Sequence, residues 1–135
     1  MQVTLIVALV LHVLSGVFWA GTTFALARTG GSQADQFFRA QMSAATVAFA
    51  TGGLLWFLLH RGSLGTQGYI LAIGASCTLL AAGVQGMTGA PALRKLSGIS
   101  ESEASRLRHR AATGQRVAAV FLMITVTCMA AARYA

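Results

Sequence analysis

Residues 11–28 read LHVLSGVFWAGTTFALAR, and they contain the only histidine that lies deep inside an apolar segment of the chain. On a helix, the small and polar residues of this stretch share one face, because they follow one another at spacings of three, four and seven: His12, Ser15, Gly16, Trp19, Thr22 and Thr23. The opposite face is Leu, Val and Phe. Since lipid satisfies neither an imidazole nor a hydroxyl, the polar face predicts a helix that turns it toward the interior of a membrane protein.

The composition of the whole chain indicates the same class of protein. Of its 135 residues, 56% are hydrophobic and 10% are charged, against about 25% charged in an average soluble domain. With about 20 apolar residues needed for each membrane crossing, the length allows four crossings and no separate soluble domain. We therefore predict an all-α fold, an integral membrane four-helix bundle in which residues 1–135 form a single domain.

The breaks between the apolar segments place the four helices at about 3–27, 35–60, 67–90 and 101–133. Pro91 is expected to end the third helix, because proline lacks the N–H group that a helix interior uses. Ser100, followed by Glu103, fits a capping box at the start of the fourth helix. Residues 92–115 are the longest polar stretch, so the fourth helix is expected to enter the membrane near Arg116.

The basic residues predict how the helices are oriented. Eight of the ten fall on the side of the first and third loops, while only Arg61 and Arg133 fall on the other side; the eight are Arg28, Arg39, Arg94, Lys95, Arg106, Arg108, Arg110 and Arg116. Basic loops stay in the cytoplasm, which predicts up-down-up-down topology with both termini on the outer side. The net charge of +7 is thus a topology signal, and no nucleic-acid partner is expected.

Small and amide side chains predict which faces pack together. One face of the second helix carries Ser43, Thr46, Ala50 and Gly53, and one side of the third helix carries Gly74, Thr78, Ala81, Gln85 and Thr88. Gln41 and Gln85 lie at membrane depth. Each is expected to hydrogen-bond to another helix, for about 1 kcal/mol. The three acidic residues, Asp35, Glu101 and Glu103, fall on the predicted cytoplasmic side and not within the membrane, so transport through a carboxylate relay is not expected.

His12 is the centre of the predicted site. Counting along the helices at 1.5 Å per residue puts Cys77, Cys128 and Met129 in the same layer as His12. Imidazole, thioether and thiol groups suit haem iron or Cu(I). We expect Met129 to be the second axial ligand, with Cys128 and Cys77 as the next candidates. The other two histidines, His60 and His109, lie at different depths, so a bis-histidine haem is not predicted.

Room for a haem would come from small residues in the spans. Gly16, Gly53 and Gly74 would leave space for the macrocycle, and Gly16 and Trp19 follow His12 by one and two turns on the same face. We therefore expect Gly16 and Trp19 to contact a cofactor. The same residues also fit ordinary helix packing, because small residues let membrane helices approach each other closely.

Three functions are compatible with these patterns. The first is a haem b protein of the bacterial inner membrane that uses His12 in electron transfer or other redox chemistry, with a quinone or a redox protein as its partner. The second is a Cu(I)-handling protein that uses the same layer. The third is a structural or assembly subunit, in which His12 only hydrogen-bonds between helices. All three have the lipid bilayer as their surroundings, and each allows a homo-oligomer.

The first helix also resembles known families. Leu11-His12, six further residues, Trp19, and then Gly21 and Phe24 form a pattern similar to the first helix of the copper-resistance D (CopD)-like membrane families. It also resembles the opening helix of the HemJ-type protoporphyrinogen oxidases. The resemblance covers about 18 of the 135 residues. It implies that His12 corresponds to the histidine of those families, with haem b in the oxidases and copper handling in the CopD group.

Overall fold

The computed structural model describes residues 2–30, 33–59, 65–95 and 100–135, without the side chains of 34, 35 and 91–95. These residues form four α-helices and no strand: α1 (Gln2–Arg28), α2 (Ala34–Leu59), α3 (Thr66–Lys95) and α4 (Glu101–Ala132). Each helix is long and apolar enough to cross a membrane. The predicted all-α fold with four membrane-length helices is confirmed.

Most of the buried apolar residues of the bundle are alanines, and most of the large apolar residues point outward. A central cluster contains Trp19, Ala45, Ala81, Ala118 and Leu122. Leucine, valine and phenylalanine are instead exposed along the helices, as at Leu14, Val17 and Phe57. This distribution suits a bundle surrounded by lipid, where association depends on close helix contact rather than on hiding apolar surface.

Helices α3 and α4 approach each other most closely. A Cβ atom added at Gly114 would overlap the side chain of Thr88, and one added at Gly74 would lie 3.1 Å from Cβ of Cys128. The hydroxyl of Thr125 donates a 3.0 Å hydrogen bond to the carbonyl of Gly74. The predicted face of the third helix is therefore confirmed as the one that packs on its neighbour.

The predicted packing face of the second helix is wrong. Ser43, Thr46, Ala50 and Gly53 are exposed, and α2 instead buries Gln41, Ala45, Ala48 and Leu55. A serine or threonine facing lipid is tolerated because its hydroxyl can bond within its own helix. Thr46 does so, donating to the carbonyl of Met42 at 2.8 Å.

The third helix does not end where the sequence predicts, whereas the fourth begins at the predicted residue. The backbone of α3 continues through Pro91 to Lys95. A proline near a helix end removes one hydrogen bond, and this helix tolerates that loss. Ser100 is the N-cap of α4, and its hydroxyl accepts a hydrogen bond from the Glu103 N–H at 3.4 Å, as the capping box predicts. Burial of α4 within the bundle begins at Ala111.

Candidate functional site

His12 is held by the backbone of α2. Its Nδ1 lies 2.9 Å from the Ala48 carbonyl and 3.3 Å from Oγ1 of Thr51. A carbonyl oxygen only accepts, so Nδ1 carries the proton. The Thr51 hydroxyl donates to the Val47 carbonyl at 2.6 Å and is therefore available as a second acceptor. The Nε2 atom is left with its lone pair, and no residue in the described part of the chain hydrogen-bonds to it.

Gly52 provides the space for this arrangement. A Cβ atom at position 52 would lie 2.9 Å from Cε1 of His12 and 3.3 Å from Nδ1. The imidazole therefore packs directly against the backbone of α2. Any larger residue at this position would displace the ring from Ala48 and Thr51.

The imidazole forms part of the wall of a cavity of about 430 Å³ between α2 and α3. Met129 of α4 lines the same cavity. The remaining walls are apolar apart from Thr78, and they comprise Ala48, Phe49, Gly52, Gly53, Leu55, Trp56, Leu59, Leu71, Ala75 and Leu79. A cavity of this size and polarity suits a largely apolar ligand that is fixed by one or two directed contacts.

The structure brings together only part of the predicted site. Of the predicted ligands, His12 and Met129 share the cavity, whereas Cys77 and Cys128 do not line it. Both cysteines are free thiols and half-buried, and Cys128 lies against Gly74 instead. Among the described residues, no group of three His, Cys, Asp or Glu side chains could hold a metal ion.

Of the residues predicted to make room for a haem or to contact it, only some lie at the cavity. Gly53 lines the cavity, whereas Gly16, Gly74 and Trp19 do not. Gly16 is half-buried, and a Cβ atom there would meet nothing within 4 Å. Gly74 is occupied by the α3–α4 contact. Trp56 is a further cavity residue that the sequence pattern did not indicate.

Trp19 belongs to a second polar feature, a buried ring of hydrogen bonds that we call the glutamine network: Trp19, Thr23, Gln41, Gln85 and Gln115. Its indole N–H donates to Gln85 at 2.7 Å, and Gln85 donates to Gln115 at 2.9 Å. Gln115 donates to Gln41 at 3.1 Å, and Gln41 donates to Thr23 at 3.2 Å. The Thr23 hydroxyl donates to the Trp19 carbonyl at 2.7 Å, which closes the ring.

The glutamine network joins all four helices at one depth. None of its five side chains is more than 4% exposed. Both N–H groups of the Gln85 amide are used, because its Nε2 donates to Thr23 at 2.9 Å as well as to Gln115. Thr23 accepts from two amides and donates once, which exhausts its hydroxyl. A buried polar group this well satisfied stabilises one arrangement of the helices and leaves little capacity for a ligand.

Gln41 and Gln85 were predicted to hydrogen-bond to other helices, and the network confirms this. Gln115, which belongs to the longest polar stretch of the sequence, is a further member that the sequence did not predict. Along α1, Trp19 of the glutamine network lies about two turns, or roughly 10 Å, from His12. The two features meet at Phe49, whose ring centroid is 6.0 Å from that of Trp19 and which also lines the cavity. The network therefore supports the wall behind the cavity.

No family model, curated protein or solved structure matches this chain. The assignment of function therefore depends on the chemistry of the two polar features. Only the cavity combines an unused ligand atom with space, so it is the candidate functional site.

Proposed function

We propose that the protein binds haem b in the cavity between α2 and α3 and uses it in electron transfer. His12 would hold the haem iron through Nε2, and Met129, which lines the same cavity, would be the second ligand. The observation that carries the proposal is the fixed tautomer of His12, whose Nδ1–H is held by the Ala48 carbonyl and whose Nε2 lone pair has no hydrogen-bond partner among the described residues. A ligating histidine generally donates its other ring N–H to a carbonyl or carboxylate in this way.

A haem fits this donor set better than a bare ion does. The porphyrin provides four nitrogen ligands, so a haem needs only one or two side chains from the protein. A Cu(I) site would draw on the same His12 and Met129, but it would leave most of the 430 Å³ of apolar space unfilled. Apolar walls also suit the faces and edges of a macrocycle.

The resemblance of the first helix to the CopD-like and HemJ-type families supports the choice of His12. His12 is the only residue whose role we propose from this resemblance. The oxidases use an intramembrane lysine, whereas the only lysine here, Lys95, is the last residue of α3. We therefore propose electron transfer to a quinone or a redox protein, rather than oxidase activity.

We also propose that the protein lies in a bacterial inner membrane, with up-down-up-down topology and both termini outside. The contacts support antiparallel neighbours: His12 contacts Ala48 while Thr23 contacts Gln41, and Gly74 contacts Thr125 while Gln85 contacts Gln115. The eight-to-two distribution of basic residues supports the orientation. His12 and the cavity then lie in the outer half of the bilayer.

A haemin titration of the protein in mild detergent tests the proposal. We expect the wild type to bind one haem per chain, and His12→Ala to lose this binding. His109→Ala is the matched control, because His109 is exposed on α4 and far from the cavity. Equal binding by wild type and His12→Ala contradicts the proposal. A metal analysis that finds copper in colourless protein supports the Cu(I) site instead, and full tolerance of His12→Gln supports a structural role.

A further inference from the structure

A second binding site is indicated at the end of the bundle that carries most of the arginines. Arg28 is the last residue of α1, and Arg116 lies on α4. The Nε–H of Arg116 donates to the carbonyl of Ala27 at 3.4 Å, so the two arginines are neighbours across the α1–α4 contact. Leu26 packs on Ala111 in the same contact.

Both guanidinium groups remain available for a ligand. Arg28 and Arg116 are exposed, and neither has an ion-pair partner within the described residues. The hydrogen bond to Ala27 uses only Nε of Arg116, which leaves its two terminal nitrogens. The two glutamates of the chain, Glu101 and Glu103, lie in the first turn of α4, roughly 20 Å along that helix from Arg116.

An apolar surface runs away from this pair of arginines. Arg116, Val120 and Ile124 follow one another at spacings of four on α4, and all three are exposed. On α1, Val17 and Phe18 are exposed and lie about three turns N-terminal to Arg28. A ligand held at the arginines would therefore extend along apolar helix surface.

We infer that Arg28 and Arg116 bind the phosphate of an anionic phospholipid, with its acyl chains lying along α1 and α4. Two guanidinium groups bind a phosphate through charge-assisted hydrogen bonds, often bidentate. Among the described side chains, the carboxylates are those of Glu101 and Glu103, and both are too far from Arg116 to pair with the ammonium group of a zwitterionic lipid there. This distance favours a headgroup of net negative charge. Electrostatic attraction between basic residues at the membrane surface and anionic lipid favours the same class of headgroup.

Spin-label spectroscopy of the lipids in contact with the protein tests this site. The protein is placed in phosphatidylcholine vesicles that contain a trace of spin-labelled phosphatidylglycerol or of spin-labelled phosphatidylcholine. We expect the wild type to prefer phosphatidylglycerol by about fivefold, and R28Q/R116Q to lose most of that preference. R28K/R116K keeps the charge, so it should retain most of the preference.

The matched control removes the same charge elsewhere on the same side. R106Q/R108Q lowers the net charge by the same two units at exposed positions on α4, and it should leave most of the preference in place. Equal losses in R28Q/R116Q and R106Q/R108Q would show a diffuse effect of charge and overturn the site. Adding inorganic phosphate at constant ionic strength distinguishes the source: an unchanged preference supports a lipid, whereas its abolition indicates a site for free phosphate and overturns the lipid assignment.

Discussion

The indole Nε1 of Trp19 donates a 2.7 Å hydrogen bond to Oε1 of Gln85, and this bond connects α1 to α3 inside the bundle. Both side chains are 1% exposed. The same indole packs against Phe49, which lines the cavity beside His12. The contact between Trp19 and Phe49 therefore connects the glutamine network to the wall of the cavity.

Replacing Gln85 by leucine should destabilise the bundle by about 2 kcal/mol. The change removes three hydrogen bonds between helices, each about 0.6 kcal/mol in a membrane protein, and leaves the indole N–H of Trp19 without its acceptor. Reversible unfolding in mixed micelles measures the loss. Ser76→Ala is the control, because the exposed Ser76 hydroxyl bonds only to the Ala72 carbonyl of its own helix; it should change stability by less than about 0.5 kcal/mol. Equal stability of the two variants would contradict a structural role for the network.

Replacing Gly52 by alanine should weaken haem binding by about 10-fold to 100-fold, the usual effect of disturbing the support of a ligating histidine. The added methyl group would lie 2.9 Å from Cε1 of His12 and force the ring from its position. Gly83→Ala is the control, since a Cβ atom there meets nothing within 4 Å. The haemin titration compares the two variants, and an unchanged affinity in Gly52→Ala contradicts the proposed support of His12.

Replacing Met129 by leucine should leave haem bound but lower its midpoint potential, because a thioether ligand raises the potential of haem iron. The loss of one axial ligand should also make the reduced iron high-spin. A redox titration followed by absorption measures both changes. Met123→Leu is the matched control, because Met123 is exposed on α4 and does not line the cavity. If Met129→Leu and the wild type have the same potential and spin state, Met129 is not a ligand.

The sequence predicts the helices and the inward face of α1 well, because membrane spans are long and lipid excludes polar groups. His12, Trp19 and Thr23 all lie on the half-buried or buried side of α1, as their spacing indicates. The roles of Gln41 and Gln85 follow from the cost of an unpaired amide at membrane depth. These predictions need only the position of a residue along its own helix.

Predictions that depend on helix rotation and axial shift are less successful. Gln115 lies in a polar stretch, and only the shift of α4 against α3 places it beside Gln85. Counting along the helices puts Cys77 and Cys128 in the layer of His12, yet neither side chain lines the cavity. The prediction for the packing face of α2 is also wrong. Hydroxyls such as that of Thr46 bond within their own helix, so they do not indicate which face contacts a neighbouring helix.

The most direct test of the central claim is the absorption spectrum of the protein purified in mild detergent, recorded before and after dithionite, beside that of His12→Ala. Ligation of a b-type haem by His12 predicts a Soret band that sharpens and shifts on reduction, with α and β bands appearing, and predicts that His12→Ala lacks all three. A colourless wild type, or a Soret band that persists unchanged in His12→Ala, would contradict the claim.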